Sequence, residues 1–116
     1  MIINDTLQNR SSIVRNFRAV TATGALLATD DVAIVQNGAT NVTVTLPAPA
    51  ANAGRQVTVS RGIGSTGSIT VQGAAGQIES LAGALGATTT LSASGGLGSS
   101  VVFLSNGTAW LRLLNG

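Results

Sequence analysis

Asp30, Asp31 and Glu79 are the side chains in the body of this 116-residue chain whose type invites acid–base or metal chemistry; Asp5 lies apart, near the start. A glycosidase would need two such carboxylates facing each other across a cleft, and a hard cation would need several oxygen ligands converging. Asp30 and Asp31 are adjacent, so on an extended chain they point to opposite sides, and a turn before a strand accounts for both. The chain has no His, Cys, Lys or Tyr to serve as base, nucleophile or proton shuttle. The expectation is a protein that is not an enzyme, with no catalytic residues, no cofactor and no metal.

Two motifs look like sites and are better read as structure. Gly62-Ile-Gly64-Ser-Thr-Gly67 spells G-x-G-x-x-G, but a dinucleotide fingerprint must open a helix at its end. Here it runs into Ser68-Ile-Thr-Val-Gln, which reads as a strand. Asn4-Asp-Thr6, Asn41-Val-Thr43 and Asn106-Gly-Thr108 match the glycosylation sequon, but the first residues lack a signal peptide's apolar stretch, so the matches are expected to stay unused.

The formal charge of +2 carries position as well as sign. Arg10, Arg15 and Arg18 stand against Asp5 within residues 1–20, whereas Arg55, Arg61 and Arg112 are balanced by Asp30, Asp31 and Glu79 in the rest. The surplus therefore sits at the N-terminus. There the arginines are interleaved with Ile2, Ile3, Leu7 and Phe17, a combination suited to docking on an acidic surface. We read residues 1–20 as an N-terminal arm, with a helical turn or two possible in it, and residues 21–116 as one domain. So small a surplus, on a chain 9% charged, argues against a nucleic-acid partner, and no run approaches the roughly 18 apolar residues of a membrane span.

With 15 Gly and only Phe17, Phe103 and Trp110 as aromatics, the core must be built from Val, Ile, Leu and Ala. Small side chains bury little area each, and low charge leaves much surface poorly dressed for water. Both point to an oligomer.

The elements follow from period-2 patterning. Val42, Val44 and Leu46 alternate with Thr43 and Thr45 up to Pro47; Pro49 and Gly54 punctuate a loop; Val57 and Val59 then alternate with Gln56, Thr58 and Ser60. Short strands are also expected in 20–28, 32–36, 69–72, 77–81 and 88–91. Asn37-Gly38 signals a hairpin between 32–36 and 41–46. Many short, evenly spaced strands predict an all-β fold, a compact antiparallel β-sandwich or jelly-roll-like domain.

Asn106-Gly107 between two apolar runs signals a second hairpin. A two-residue loop sets Phe103 opposite Trp110 and Val101 opposite Arg112, with Val102, Leu104, Ala109, Leu111 and Leu113 on the other face. Both faces are apolar. One is expected to meet the domain's own core and the other a neighbouring subunit, which makes Val101, Phe103, Trp110, Leu111 and Leu113 the candidate core and interface set.

Taken together, Ala28-Thr-Asp-Asp-Val-Ala-Ile-Val-Gln-Asn-Gly, Val42-Thr-Val-Thr-Leu-Pro-Ala-Pro-Ala, Ala53-Gly-Arg-Gln-Val-Thr-Val and Val101-Val-Phe-Leu-Ser-Asn-Gly-Thr-Ala-Trp resemble the small β-domain that recurs in bacteriophage tail fibres, head fibres and capsid decoration proteins. The resemblance covers about residues 20–114; Gln77-Ile-Glu-Ser lies in a stretch richer in Gly and Ala than the family's pattern. It implies a virion structural protein, usually a homotrimer, assembled in the bacterial host cytoplasm. One β-domain behind a short arm favours a capsid decoration (cement) protein whose partner is the major capsid protein, held by Ile2, Ile3, Leu7, Arg10, Arg15, Phe17 and Arg18. The alternative is a short tail fibre or receptor-binding tip, with tail proteins or host glycans as partners. A buried Trp110 would count against glycan stacking.

Overall fold

The computed structural model describes residues 15–73, 78–79, 85–91 and 100–115, with the backbone alone for Leu114 and Asn115. The described chain is all-β, in two sheets. A seven-stranded sheet has the order β1 (Phe17–Val20), β3 (Val32–Val35), β5 (Gln56–Arg61), β10 (Ser100–Ser105), β11 (Trp110–Asn115), β7 (Ile78–Glu79), β8 (Leu85–Gly86). A four-stranded sheet has the order β2 (Gly24–Ala25), β4 (Val42–Leu46), β6 (Ile69–Gly73), β9 (Thr88–Thr90).

The first six strands alternate between the sheets, and each pairs in parallel with the strand two before or after it: β1 with β3, β3 with β5, β2 with β4, β4 with β6. The chain thus winds through three turns of a coil before antiparallel pairs appear at β5 with β10, β10 with β11 and β6 with β9. This corrects the antiparallel expectation. Period-2 patterning reports which face of a strand is buried, and a coil and a meander bury the same alternate residues.

The Asn37-Gly38 hairpin is corrected for the same reason. A tight turn does form there, with Thr40 N–H donating to Asn37 O at 2.9 Å and Gly38 at φ +55°. The chain then continues to the other sheet, so β3 and β4 do not pair. A turn motif specifies a local reversal, whereas pairing depends on where the inward rows must go. Ala33 and Val35 on β3 and Val42, Val44 and Leu46 on β4 are all buried in one cluster, from opposite walls.

The late hairpin forms as read, but with a longer loop. Ser105 pairs with Trp110, Leu104 with Leu111 and Phe103 with Arg112, and the register shifts between Val102 and Phe103. Asn106–Ala109 makes the connection. Asn106 Oδ1 accepts from Thr108 N–H and Ala109 N–H, both at 2.9 Å, and Gly107 takes φ +94°. The asparagine side chain caps the turn from inside, and that lengthens it by two residues. A two-residue displacement preserves face, so Val101, Phe103 and Trp110 all point into the core at 0% exposure, while Leu111 is half-buried and Leu113 is 45% exposed.

The Leu-Pro-Ala-Pro loop packs beneath this hairpin. Trp110 Nε1 donates to Pro47 O at 2.9 Å, Ser105 Oγ to Pro49 O at 2.7 Å, and Gly54 N–H to Ser105 O at 2.7 Å. The neighbouring segments Leu46-Pro-Ala-Pro and Ala53-Gly-Arg therefore form one structural unit with Ser105-Asn-Gly-Thr-Ala-Trp, some fifty residues further along the chain.

Candidate functional site at the root of the N-terminal segment

Of the residues assigned to the arm, Ile2, Ile3, Leu7 and Arg10 lie outside the described residues, and Arg15, Phe17 and Arg18 lie inside them. Phe17–Val20 is strand β1, so the last four residues of the 1–20 span belong to the seven-stranded sheet. Parallel pairing with β3 supplies backbone bonds, extended by Asp31 N–H and Val32 N–H to Asn16 O at 2.9 and 3.0 Å and by Gln36 N–H to Val20 O at 2.7 Å.

Asp30 and Asp31, read above as a turn before a strand, reinforce this attachment. Arg18 Nε donates to Asp30 Oδ2 at 2.6 Å, and Leu27 N–H donates to the same oxygen at 2.8 Å. Asn16 N–H donates to Asp31 Oδ2 at 2.8 Å, and Asn16 Nδ2 to Thr29 O at 2.7 Å. Arg55 closes the cluster from the start of β5, with Nη2 donating to Asp30 O and, at 3.4 Å, to Asp31 Oδ1. Nη1 of the same guanidinium reaches Asn52 Oδ1 at 3.3 Å. Arg18 is accordingly a structural clamp within the chain, and both aspartates bridge β1 to the body of the fold.

Burial works to raise the pKa of Asp30, but the Arg18 hydrogen bond, the Leu27 N–H and the charges of Arg18 and Arg55 outweigh it and hold the carboxyl below its ordinary value. Asp31 is lowered chiefly by the Asn16 backbone N–H, with burial opposing and Arg55 assisting. A depressed folded-state pKa contributes stability that is present above the unfolded value of about 3.9 and is lost as pH falls through the folded value. The expected result is a urea midpoint that falls on acidification from pH 5 towards pH 2. Asp30→Asn should lower the midpoint at pH 7 and flatten that fall. An Asp30→Asn profile parallel to the wild type would show that the clamp does not carry the acid sensitivity.

Arg61, Arg112 and Glu79 are also committed to structure. Arg61 Nη1 donates to Ser65 O at 3.3 Å and Gly67 O at 2.6 Å. Arg112 crosses the core to Thr89 Oγ1 at 2.7 Å, with its guanidinium carbon 5.8 Å from the Phe103 ring centroid. Burial lowers its pKa and the charge of Glu79 opposes that; an arginine remains cationic under such a shift. Glu79 Oε1 accepts from Arg112 N–H at 3.3 Å. Among the described residues, no three His, Cys, Asp or Glu side chains gather as a metal site, and no helix is long and apolar enough to cross a membrane.

A cleft of about 220 Å³ lies along the β1–β2 turn, lined by residues between Arg18 and Leu26. Its ionisable wall is Arg18, whose Nε is held by Asp30. It offers shape without an acid–base pair. Sequence reading misses this clamp because it assigns Asp30 and Asp31 only to a turn before a strand and gives them no partner. The signal available was two aspartates preceding a strand in a chain with few charges, which only the fold could match to Arg18 and Arg55. Comparison with protein-family models, with curated proteins and with solved structures returns no match.

Proposed function

We propose that this chain is a bacteriophage virion structural protein, a capsid decoration (cement) protein that works as a homotrimer and holds the major capsid protein through its N-terminal segment. The observation that carries the reading is the joint between segment and fold. The chain enters the sheet through β1, which is fastened by two carboxylates and two guanidinium groups, so a load on the preceding residues passes directly into the body of the domain. Ile2, Ile3 and Leu7 supply apolar anchoring, and Arg10 supplies directed hydrogen bonds to capsid carboxylates. Three such segments on one trimer bind together, so weak individual contacts add through effective concentration. Contacts spread over neighbouring capsomers then resist internal pressure. The resemblance in the Leu-Pro, Ala-Gly-Arg and Asn-Gly-Thr-x-Trp segments supports the same assignment.

Because β1 needs Phe17 and Arg18, the informative truncation removes residues 1–14. The shortened protein is expected to remain a folded trimer and to fail to cosediment with undecorated capsids, while Arg10→Ser in the full chain weakens cosedimentation most at low salt, where a guanidinium–carboxylate contact is least screened. Full occupancy by the truncated trimer would place attachment in the β-domain. The receptor-binding alternative loses its best stacking surface, since the Trp110 ring is 0% exposed with its N–H bonded to Pro47 O.

A further inference from the structure

An asparagine side chain can be attacked by the backbone nitrogen that follows it, most readily when that nitrogen belongs to glycine and no Cβ shields it. The chain has three such pairs, Asn37-Gly38, Asn106-Gly107 and Asn115-Gly116. Gly116 lies outside the described residues. The other two pairs sit in turns of opposite character.

Asn106 is exposed, at the start of the loop of the late hairpin. Its Oδ1 accepts from Thr108 N–H and Ala109 N–H, both at 2.9 Å. The ring closed by the first of these bonds runs through Gly107 N, so it folds the side-chain carbonyl carbon back towards that nitrogen. Two N–H donors on one carbonyl oxygen are also the arrangement that steadies an oxyanion when its carbon is attacked. Gly107 N–H donates to Ser105 Oγ at 3.2 Å, and that hydroxyl donates onward to Pro49 O at 2.7 Å. Nucleophile and electrophile are therefore both held in place, on a side chain open to water.

Asn37 presents the reverse. It is 6% exposed. Its Nδ2, the group that would have to leave, donates to Thr40 O and, at 3.5 Å, to Ser68 O. Its Oδ1 is buried with no donor among the described residues. Attack by Gly38 N would break the Nδ2 bonds and build negative charge on an oxygen with nothing to hold it.

We propose that Asn106 is a site of spontaneous covalent modification, at which the turn promotes closure of a succinimide ring, while the fold protects Asn37. Hydroxide takes the Gly107 N–H proton, the nitrogen attacks Asn106 Cγ, and a C–N bond forms as Oδ1 takes up negative charge between the Thr108 and Ala109 N–H groups. The Cγ–Nδ2 bond then breaks, and Nδ2 takes a proton from water and leaves as ammonia, which restores the hydroxide. Water opens the ring at either carbonyl, giving aspartate or isoaspartate at this position. The net change is amide and water to carboxylic acid and ammonia, with nothing oxidised or reduced. The isoaspartyl product adds a carbon to the backbone of a turn whose ends, Ser105 and Trp110, are fastened to Pro49 O and Pro47 O.

The full chain, aged in mildly alkaline buffer with and without urea and then mapped by mass spectrometry of tryptic fragments, tests this. Fragment 62–112 contains Asn106 as its sole asparagine, and fragment 19–55 contains Asn37. In urea both pairs are the same dipeptide and should lose ammonia at similar rates, which sets the reference. In the folded protein Asn106 should react at least as fast as in urea, and Asn37 at least about tenfold more slowly, since it must wait for local opening. Isoaspartate methyltransferase should methylate the aged 62–112 fragment. A folded protein in which Asn106 reacts more slowly than in urea overturns the proposal, because the turn then restrains the side chain instead of delivering it. A folded Asn37 that keeps its rate in urea overturns the protection. A 62–112 fragment that gains the acid without becoming a methyl acceptor overturns the succinimide route.

Discussion

Trp110→Ala should lower the unfolding free energy by about 3 to 5 kcal/mol, the range for deleting a fully buried large aromatic. The ring is 0% exposed and sits where β11 pairs with both β10 and β7. Its removal leaves a cavity bounded by two rigid ladders, so the site cannot collapse to fill it. The substitution also removes the donor that Pro47 O accepts from at 2.9 Å. That carbonyl precedes the Pro49–Asn52 turn, so the loop beneath the hairpin should loosen as well. Trp110→Phe keeps most of the apolar volume and loses only the N–H, and it should cost a smaller part of the total. Urea titration followed by far-ultraviolet circular dichroism measures both. Equal midpoints for wild type and Trp110→Ala would show that the indole is not buried.

Gly67→Ala should be comparably damaging, at about 3 kcal/mol or more, because the added methyl has nowhere to go. A Cβ at Gly67 would fall inside contact distance of the Thr40 carbonyl oxygen and carbon and 2.8 Å from Asn37 Nδ2. Neither side can give way. Gly67 N–H and Thr66 N–H both donate to Gly38 O, at 2.8 and 2.7 Å, and Gly67 O accepts from Arg61. On the other side Asn37 N–H donates to Ser65 Oγ at 3.1 Å, and Ser68 N–H to Asn41 Oδ1 at 2.9 Å. Gly62 is the internal control. A Cβ there would meet the side chain of Gln36, which is exposed and can swing aside. Gly62→Ala is therefore expected to cost about 1 kcal/mol or less. If the two variants unfold at the same urea concentration, the loops over β3–β4 and β5–β6 are not packed as closely as described.

The second of these effects also explains the glycine spacing. Gly62-x-Gly64-x-x-Gly67 serves two close approaches and one turn, in which Ser65 N–H donates to Gly62 O at 3.2 Å and Gly64 takes φ +80°. Backbone sterics demand glycine at such places whatever the ligand, so the pattern alone could not distinguish a phosphate cradle from a packed loop. What distinguished them was the following segment, Ile69–Gly73, which is a strand.

The sequence by itself determined whatever depends on neighbours along the chain. Alternation of Val42, Val44 and Leu46 with threonines named the buried face of β4, and the same logic grouped Val57 with Val59 and Val101 with Phe103 and Trp110, each set on one face that the structure places in the core. Asn-Gly pairs marked two turns, and both form. Only the tertiary structure decided which strands pair. Period-2 burial is satisfied equally by an antiparallel meander and by a coil that crosses between sheets, and the choice depends on contacts between segments some 15 to 27 residues apart, such as Phe17 with Val32 and Val42 with Ile69. The same distance hid the roles of the charged residues. Asp30 and Asp31 are neighbours in sequence, yet their partners come from β1 (Arg18) and from the residues just before β1 (Asn16) and β5 (Arg55). A carboxylate's function is set by what the fold brings to it, and that information is not local.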